Sequence, residues 1–451
     1  MATTTHAQEI LAFPPGFLWG TATAAHQVEG HNTNNDWWAW EQTPGHIADG
    51  SRSGLAANWW QAAEQDLALA ARWGQNSHRL SLEWSRLEPR EGAWDESAVA
   101  RYRQILEYMR GLGIKPMITL HHFTNPLWLY EQGGWENEGV VSRFARYVER
   151  VVNSLGDLCH LWCTLNEPMV YMAFGYLSGI WPPGGGGLGA VRKVLCHMAQ
   201  AHARAYEILH RHQADAQVGF AKHFQLFEPA DPRRRADRWA TRLVDHLFNE
   251  SILVALTDGA LLFPLGPHLG RRGGQWADFM GLNYYARNLV AFDPRRKEEL
   301  FTRRFPDPQA RYAVEGWGEV TAEGLYRGLK RFAAWGLPIY VTEFGVPDNA
   351  DHVRPWFLVE HVAAMYRALQ EGVPLKGAYF WSLVDNFEWA AGWTARFGLL
   401  ALDPATQERR PRPSAEVYRR IVQANGLERS LVAEFAPHLV SQFFDTRPPS
   451  G

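Results

Sequence analysis

Short apolar runs alternate along the chain with longer stretches in which apolar residues recur every three or four positions. The short runs are rich in β-branched and aromatic residues and are flanked by glycine or proline, as buried strands are. This pattern predicts eight strands, over residues 17–24, 77–84, 115–123, 161–167, 217–224, 278–285, 338–344 and 377–385.

The stretches between these strands have helical spacing. The clearest is WWQAAEQDLALAARWG (59–74), which is rich in Ala and Leu and ends at a glycine. Eight successive strand-then-helix units favour an α/β fold, a single (β/α)8 TIM barrel formed by residues 1–451 as one domain. A doubly wound open sheet is the alternative, but it more often has about five to seven strands. The other helices are predicted near 95–112, 137–155, 189–213, 235–257, 321–335, 352–372 and 413–425.

In such a barrel the chemistry takes place at the C-terminal ends of the strands. A purely structural barrel would not need polar or aromatic residues there. Glu167 and Glu343 belong to the fourth and seventh strands, so their carboxyl groups can face each other across the mouth. Polar or aromatic residues nevertheless lie at or near the ends of nearly all the predicted strands: Gln27, Arg79, His121, His122, Asn166, Glu167, Asn283, Tyr285, Glu343 and Trp381.

Two facing carboxyl groups suit the cleavage of a glycosidic bond. One protonates the leaving oxygen and the other attacks the anomeric carbon. A separation of ~5–5.5 Å gives retention, whereas ~6.5–9.5 Å leaves room for a water molecule and gives inversion. Taken alone, each glutamate would as readily be a structural ion-pair carboxylate. The other polar strand ends favour a catalytic pair.

Composition and charge restrict the partners. The chain has 451 residues, 46% of them hydrophobic, and a formal net charge of −3, which does not indicate a nucleic-acid or membrane partner. No run of ~18 apolar residues predicts a membrane span, and the N-terminus lacks the pattern of a signal peptide. We therefore expect a cytoplasmic protein, either a monomer or a homo-oligomer.

The three cysteines are too few for a disulfide framework. Cys159, His160, Cys163, Cys196 and His197 could be combined into a zinc site, but an apolar approach to a strand favours Cys159 and Cys163 as small buried hydrophobes. No metal is therefore expected. The 21 Trp residues are many for this length, and those in NNDWWAW and DNFEWAAGW suit stacking on a sugar ring.

Six motifs, in this order, resemble glycoside hydrolase family 1, the β-glucosidase and β-glycosidase family. The resemblance covers about residues 13–425 and implies a single TIM barrel with retaining chemistry and no cofactor. The motifs are QVEG (27–30), TLHHF (119–123), TLNEP (164–168), GLNYY (281–285), VTEFG (341–345) and FWSLVDNFEWAAGWTARFGL (380–399).

The resemblance implies that Glu167 is the acid/base and Glu343 the nucleophile, with Arg79 and Tyr285 bonded to the nucleophile. A fixed cation and a phenolic donor both favour an ionised carboxylate. Asn283 has an alternative role, that of orienting the end of its strand. The substrate-binding residues implied are Gln27, His122, Asn166, Asn283, Tyr285, Trp381, Glu388, Trp389 and Phe397.

The activity implied is that of a retaining exo-β-glycosidase, a β-glucosidase that also accepts galactosides or fucosides. Its substrates would be small β-glycosides or cello-oligosaccharides. The alternatives are a non-catalytic carbohydrate-binding barrel, a transglycosylase that uses the same covalent intermediate, and a metal-dependent barrel enzyme. Three departures from the family pattern, Phe123, Phe344 and an offset Trp317, are expected to affect the aglycone site.

Overall fold

The computed structural model describes residues 9–268, 276–314 and 317–445. At its centre eight parallel strands form a closed barrel. Seven of them are completely or almost completely buried along their length, as strands covered by helices are. The barrel strands are β1 (Leu18–Ala22), β2 (Ser77–Ser81), β3 (Lys115–His121), β4 (Leu161–Asn166), β5 (Gln217–His223), β6 (Phe279–Tyr284), β7 (Ile339–Phe344) and β8 (Leu375–Trp381).

Each of the first seven barrel strands pairs in parallel with the next barrel strand. The ring closes because β8 also pairs with β1, through partners such as Gly377 with Leu18 and Trp381 with Ala22. The predicted TIM barrel is therefore confirmed. The doubly wound sheet is excluded, because an open sheet would leave β1 or β8 at an edge.

Helices follow the strands and form the outer layer. The predicted helix at 235–257 is wrong as a single α-helix, because a π-helical turn at His246–Glu250 interrupts it. Within that turn the Asn249 amide donates to Asp245 Oδ1 and to Gln225 O, both at 2.8 Å, and so holds the turn against the end of β5. The main helices are α1 (Trp59–Arg72), α2 (Glu96–Gly111), α3 (Val140–Leu155), α4 (Gly187–His212), α5 (Arg235–Asp245), α6 (Ser251–Asp258), α7 (Ala322–Ala333), α8 (Arg354–Gln370) and α9 (Pro413–Gln423).

Helix α2 shows how the local sequence determines such an element. The Asp95 side chain caps its N-terminus by accepting from the backbone N–H groups of Ser97 and Ala98, at 2.9 and 3.1 Å. Apolar residues three and four positions apart then form one buried face. That face consists of Ala98, Tyr102, Ile105, Leu106 and Met109.

Shorter elements lie in the connections. Outside the barrel, strand Ile10–Ala12 pairs with Gly426–Glu428, and Leu226–Pro229, Arg287–Phe292 and Thr302–Phe305 form a small sheet. Two further pairs are Tyr312–Val314 with Trp317–Glu319 and Leu400–Leu402 with Arg409–Pro411. Short helical segments are Ala25–Val28, Asp36–Glu41, Trp84–Leu87, Leu127–Glu131, Gly134–Glu136, Pro168–Tyr171, Met172–Leu177, Lys297–Glu299, Trp389–Ala391, Arg429–Phe435, Pro437–Leu439 and Val440–Phe443.

Two predicted strands extend too far. The second ends at Ser81 because the chain turns into the helix Trp84–Leu87, and the eighth ends at Trp381 rather than at 385. Gln27 also lies in the short helix Ala25–Val28 and not at the end of β1. Among the described residues, no helix has both the length and the apolarity to cross a membrane.

Candidate active site

A cavity of about 870 Å³ opens at the C-terminal ends of the barrel strands. Two of the predicted site residues, Arg79 and Asn283, do not line it but are buried beside residues that do. The structure therefore brings all the predicted residues together in one place. Those lining the cavity are Gln27, His122, Asn166, Glu167, Tyr285, Glu343, Trp381, Glu388, Trp389 and Phe397.

Glu343 lies near the end of β7 and accepts a hydrogen bond on each carboxylate oxygen. Arg79 donates from Nη1 to Oε1 at 2.5 Å, and the Tyr285 hydroxyl donates to Oε2 at 2.6 Å. Gly345 follows this strand closely beside the Trp381 carbonyl, where a Cβ atom would collide with backbone. Its lack of a side chain allows the ends of β7 and β8 to approach each other.

Arg79 is itself held in a single orientation. Its Nε donates to Thr119 Oγ1 at 3.0 Å, and its Nη2 donates to Asn166 Oδ1 at 2.7 Å. These donors come from β2, while the acceptors come from β3, β4 and β7. The guanidinium is thus fixed under Glu343 by partners from three other strands, which makes it a preorganised positive charge.

Glu167 follows β4 at a sharp change of direction. Its backbone has a φ of 45°, in the left-handed region that non-glycine residues rarely adopt. The helix Pro168–Tyr171 begins directly afterwards, with proline at its first position. The Glu167 N–H donates to Ala221 O of β5 at 2.8 Å. Such strained residues are common at active sites, where the surrounding structure determines their geometry.

The Glu167 carboxyl group meets two neighbours through Oε1. Asn283 Nδ2 donates to it at 2.8 Å, and His223 Nδ1 lies 3.2 Å away. Asn283 is oriented by the Thr342 hydroxyl, which donates to its Oδ1 at 2.6 Å. Asn283 therefore contacts Glu167 from behind the cavity wall and does not itself line the cavity.

Burial acts to raise the pKa of both carboxyl groups, because the charged forms lose their hydration. For Glu343, burial raises the pKa more than the positive charge of Arg79 lowers it. The negative charge of Glu167 raises it further, and the pKa lies at about 7. For Glu167 the charge and hydrogen bond of His223, with the Asn283 amide, outweigh burial, and the pKa lies below its ordinary value. The charge on His223 is thus the largest of the causes that lower the pKa of Glu167, and the Arg79 charge adds to it.

Gln27 and Glu388 form one polar side of the cavity. Gln27 Nε2 donates to Glu388 Oε2 and to Phe387 O, both at 2.9 Å, and Asn386 Nδ2 donates to the same Glu388 oxygen at 2.9 Å. Gln27 Oε1 is buried with no hydrogen-bond partner among the described residues. Burial, opposed by Asn386 and Gln27, raises the pKa of Glu388 to about 7.

His122 forms the next part of the wall. Asn166 Nδ2 donates to its Nε2 at 3.1 Å, so Nδ1 carries the proton of the neutral ring. That Nδ1 is also buried without a partner in the described parts of the chain. An acceptor on Gln27 and a donor on His122, both unpaired in one cavity, suit a ligand with several hydroxyl groups.

Aromatic rings close the bottom and sides of the cavity. His122 is stacked at a tilt against Trp381 and Trp389, with planes 29° and 21° apart and ring centroids 5.9 and 6.0 Å apart. Phe397 meets the Tyr285 ring edge-on at 6.0 Å. These flat surfaces beside unpaired polar atoms match the alternating apolar and polar character of a pyranose ring.

Sequence reasoning missed several residues of this site, and four of them bear on its chemistry or its shape. His223 and Gln225, at and after the end of β5, contact each other, and Phe174 and Trp181 line the outer part of the cavity. The strand-end rule could have identified His223, because it is the last residue of β5. Phe174 and Trp181 lie in and after the π-helical turn Met172–Leu177, which has no comparable sequence signal.

The three departures from the family pattern have different outcomes. Phe123 lines the cavity and packs against Trp389 and Trp181, with ring centroids 5.2 and 5.1 Å apart. The expectation that Phe344 affects the aglycone site is wrong, because its ring points into the core against Phe357 and Phe380. The side chain of Trp317 lies outside the described residues.

The residues considered for zinc are dispersed. Cys159 and Cys163 are buried thiols, and Cys163 packs beside Arg79, with Sγ 4.0 Å from Nη2. Of the two adjacent strand-end histidines, His121 does not line the cavity and instead bonds to Asn125 Oδ1 at 3.2 Å. In the ranges that the structure describes, no three His, Cys, Asp or Glu side chains form a group able to hold a metal ion.

Two buried carboxyl groups at the mouth of a TIM barrel, beside a wall with unpaired buried polar atoms, are the arrangement expected of a barrel glycosidase. The family model for Glycosyl hydrolase family 1 matches residues 10–263 and 271–427. The chain belongs to glycosyl hydrolase family 1, as the motif resemblance predicts, and it is an enzyme of that hydrolase family.

Curated relatives and solved structures agree with this assignment. Beta-glucosidase A of Thermotoga maritima is 32% identical over 444 residues, which cover 92% of this chain and 99% of that protein. Beta-galactosidase of Pyrococcus woesei is 30% identical over 94% of this chain and 99% of its own length. The solved beta-glycosidase from Pyrococcus horikoshii superposes with a TM-score of 0.88 at 37% identity, covering 94% of this chain and 98% of that one.

Proposed function

We propose that this enzyme is a retaining exo-β-glycosidase. It releases terminal β-linked glucose, and also galactose or fucose, from small β-glycosides or cello-oligosaccharides. The observation that carries the proposal is the Glu343 carboxylate, held by Arg79 and Tyr285 in the same cavity as Glu167. Relatives named for glucosidase and for galactosidase activity support both kinds of glycone.

In the first step a Glu343 oxygen attacks the anomeric carbon and the bond to the leaving oxygen breaks. Glu167 transfers its proton to that oxygen, so the aglycone departs as a neutral alcohol. Glu343 becomes an ester, and its two hydrogen-bond donors remain in place. Arg79 and Tyr285 thereby orient the nucleophile before attack without having to move.

In the second step water enters beside Glu167, which now acts as a base. The water oxygen bonds to the anomeric carbon, its proton passes to Glu167, and Glu343 leaves as a carboxylate. Both carboxyl groups regain their starting states, and the released sugar has the β-configuration of the substrate.

This cycle needs an ionised Glu343 and a protonated Glu167. The Arg79 guanidinium is permanently charged, so Glu343 always has a cationic partner. Among the causes that lower the pKa of Glu167, the charge of His223 is the largest, ahead of the Asn283 hydrogen bond and the Arg79 charge. When the His223 imidazole is neutral, its charge is absent, but burial still favours the protonated form of Glu167. We therefore assign the proton that the two carboxyl groups share to Glu167.

The sugar is held by the polar and aromatic wall. Gln27 Oε1 accepts from a sugar hydroxyl and His122 Nδ1 donates to one, which satisfies both buried atoms. Glu388 accepts from two neighbouring hydroxyl groups, a geometry that suits a carboxylate. Trp381 packs against the ring, and Asn166 contacts the 2-hydroxyl.

Release of nitrophenol from the aryl β-glucoside, β-galactoside and β-fucoside tests the proposal. The three substrates are compared with the matching aryl α-glucoside, with and without EDTA. We expect release from the β-linked substrates, unchanged by EDTA, and none from the α-glucoside. A folded enzyme that releases nitrophenol from none of the β-glycosides would contradict the proposal.

A further inference from the structure

A chain of hydrogen bonds runs from the backbone through Gln225 and His223 to Glu167. Gln225 Nε2 donates to Ala286 O at 2.8 Å. A carbonyl oxygen can only accept, so this end of the amide is its NH2 group. The opposite atom, Gln225 Oε1, is therefore an acceptor, and it lies 3.1 Å from His223 Nε2.

This arrangement determines the tautomer of His223. Because Gln225 Oε1 accepts, His223 Nε2 carries a hydrogen. In the neutral ring Nδ1 then has only a lone pair, and this atom lies 3.2 Å from Glu167 Oε1. The lone pair of Nδ1 repels an ionised Glu167 oxygen at this distance. A single proton placed between the two atoms turns the repulsion into a hydrogen bond.

The other contacts of the pair do not remove this repulsion. Asn283 donates to the same Glu167 oxygen, but that bond places no hydrogen on His223 Nδ1 and so does not relieve the contact of its lone pair with the carboxylate. The imidazole is packed parallel to Tyr285, with centroids 5.8 Å apart and planes 11° apart, and edge-on to Phe248 at 6.0 Å. These rings leave His223 little freedom to turn Nδ1 away.

We propose that His223, held in one tautomer by Gln225, is a positioning residue that keeps a proton on the Glu167–His223 pair in the free enzyme, until the leaving group takes it. The inference rests on the proposed acid/base role of Glu167. In the free enzyme the proton lies on Glu167 or on His223 Nδ1. In either case the last proton of the pair is hard to remove, and acid catalysis persists to higher pH.

Proton balance through the cycle is preserved. In the first step one proton leaves the pair with the aglycone alcohol. In the second step the attacking water returns one proton to Glu167 as its oxygen bonds to the anomeric carbon. His223 requires no proton from outside the pair, and no other co-reactant takes part.

Other ionisable groups lie beside the pair or line the same cavity. They stay the same in all the variants that are compared, so their effects on the pH profile cancel. They come from β2, β5, β7, the connections after β6 and β8, and the outer wall of the cavity. The groups are Arg79, Lys222, Glu343, Tyr285, Glu388, Arg287, Glu299, Arg304, Tyr312 and Glu319.

Two substitutions of Gln225 separate tautomer control from a structural role. Both Gln225→Leu and Gln225→Glu lose the bond to Ala286. Gln225→Glu keeps an acceptor for His223 Nε2, whereas Gln225→Leu removes it and allows the neutral ring to carry its hydrogen on Nδ1. That N–H would donate to the Glu167 carboxylate and favour its deprotonated form.

The measurement is the pH profile of kcat/KM for a phenyl β-glucoside, whose leaving group needs acid assistance. We expect the alkaline limb of Gln225→Leu to move to lower pH by about one unit, while that of Gln225→Glu stays at or above the wild-type position. Equal shifts in both variants, or no shift in either, would overturn the inference. If Gln225→Leu does not fold, Gln225→Met, with only a weak sulfur acceptor, replaces it.

A second substrate distinguishes failure of this inference from failure of the proposed function. A dinitrophenyl β-glucoside needs little protonation of its leaving group, so its alkaline limb should be weak in the wild type and insensitive to Gln225. An equally strong wild-type limb for both substrates would contradict the acid role of Glu167, and the inference would fall with it.

Discussion

Arg79 and Glu343 form an ion pair at 2.5 Å in which the side chains are only 1% and 4% exposed. Removing two charges from water costs several kcal/mol for each ion, and their attraction offsets this only with good geometry and further hydrogen bonds. Thr119, Asn166 and Tyr285 supply those bonds. A pair this well satisfied positions the nucleophile at the mouth of the barrel.

Replacing Tyr285 by phenylalanine removes one of these bonds. Its hydroxyl favours the ionised form of Glu343, so its loss should raise the pKa of Glu343 further. Since the nucleophile must be ionised, the acid limb of the kcat/KM profile should move to higher pH. We also expect kcat to fall by roughly 10- to 100-fold, as for a lost bond to a charged group.

Tyr284→Phe is the matched control for that variant. Tyr284 is the preceding residue, and its hydroxyl donates to the Thr321 carbonyl at 2.8 Å rather than to the site. This control should keep the wild-type acid limb. A limb that moved equally in both variants would show that the shift does not come from the bond between Tyr285 and Glu343.

Glu343→Gly should abolish hydrolysis, because no group remains to form the covalent intermediate. Azide can then attack from the position of the missing carboxylate and should partly restore nitrophenol release. The product would be the α-glycosyl azide, formed by a single inversion, and NMR of the product identifies it. A β-glycosyl azide from this variant would assign the nucleophile elsewhere.

Glu167→Ala should affect leaving groups unequally. A dinitrophenyl leaving group needs little protonation, so its release in the first step should remain fast, whereas cellobiose hydrolysis should fall by roughly 100-fold or more. Azide should accelerate turnover here too, but by attacking the covalent intermediate to give the β-glycosyl azide. Comparable losses on both substrates would argue against an acid role for Glu167.

Glu388→Gln should change how stability depends on pH. The folded-state pKa of Glu388 is raised from 4.5 to about 7 by burial, so the folded chain holds this proton when the unfolded chain has lost it. The contribution is fully present below the unfolded pKa and is lost as pH rises through about 7. From about pH 5 to about pH 8, the melting temperature of the wild type should therefore fall relative to that of the variant.

Glu41→Gln provides a comparison outside the sugar site. Burial also raises the pKa of Glu41 to about 7, against hydrogen bonds from Ser53. Its variant should show a pH effect on stability of the same sign, with an unchanged KM for the aryl glucoside. Glu388→Gln should raise KM as well. If the difference in melting temperature between the wild type and Glu388→Gln did not change with pH, the raised pKa of the buried Glu388 carboxyl group would be contradicted.

The barrel could be predicted because its strands are short apolar runs. They alternate with stretches in which apolar residues recur at the three- to four-residue spacing of a helix. The strand-end rule then located Arg79, Asn166 and Glu343, since parallel strands bring their C-terminal ends to one face. The same rule applied to His223, but a single histidine after Lys222 has no pattern that distinguishes it from a core residue. Its importance depends on Gln225 and Glu167, which only the folded chain places beside it.

Other features depend on packing that sequence periodicity does not contain. The helical pattern at 235–257 gives no indication of the π-helical turn His246–Glu250, because that turn forms around the contacts of Asn249. Successive side chains of a strand point to opposite faces, so Phe344 points away from the side that Glu343 takes. Only the folded barrel shows that its ring packs against Phe357 and not in the cavity.

The central claim is that Glu343 forms a covalent intermediate, and the configuration of the first sugar released tests it most directly. Proton NMR follows hydrolysis of an aryl β-glucoside at high enzyme concentration, before the anomers of free glucose equilibrate. The account predicts that β-glucose appears first and α-glucose grows in later by mutarotation. If α-glucose were the first product, water would attack directly, and the nucleophilic role of Glu343 would be wrong.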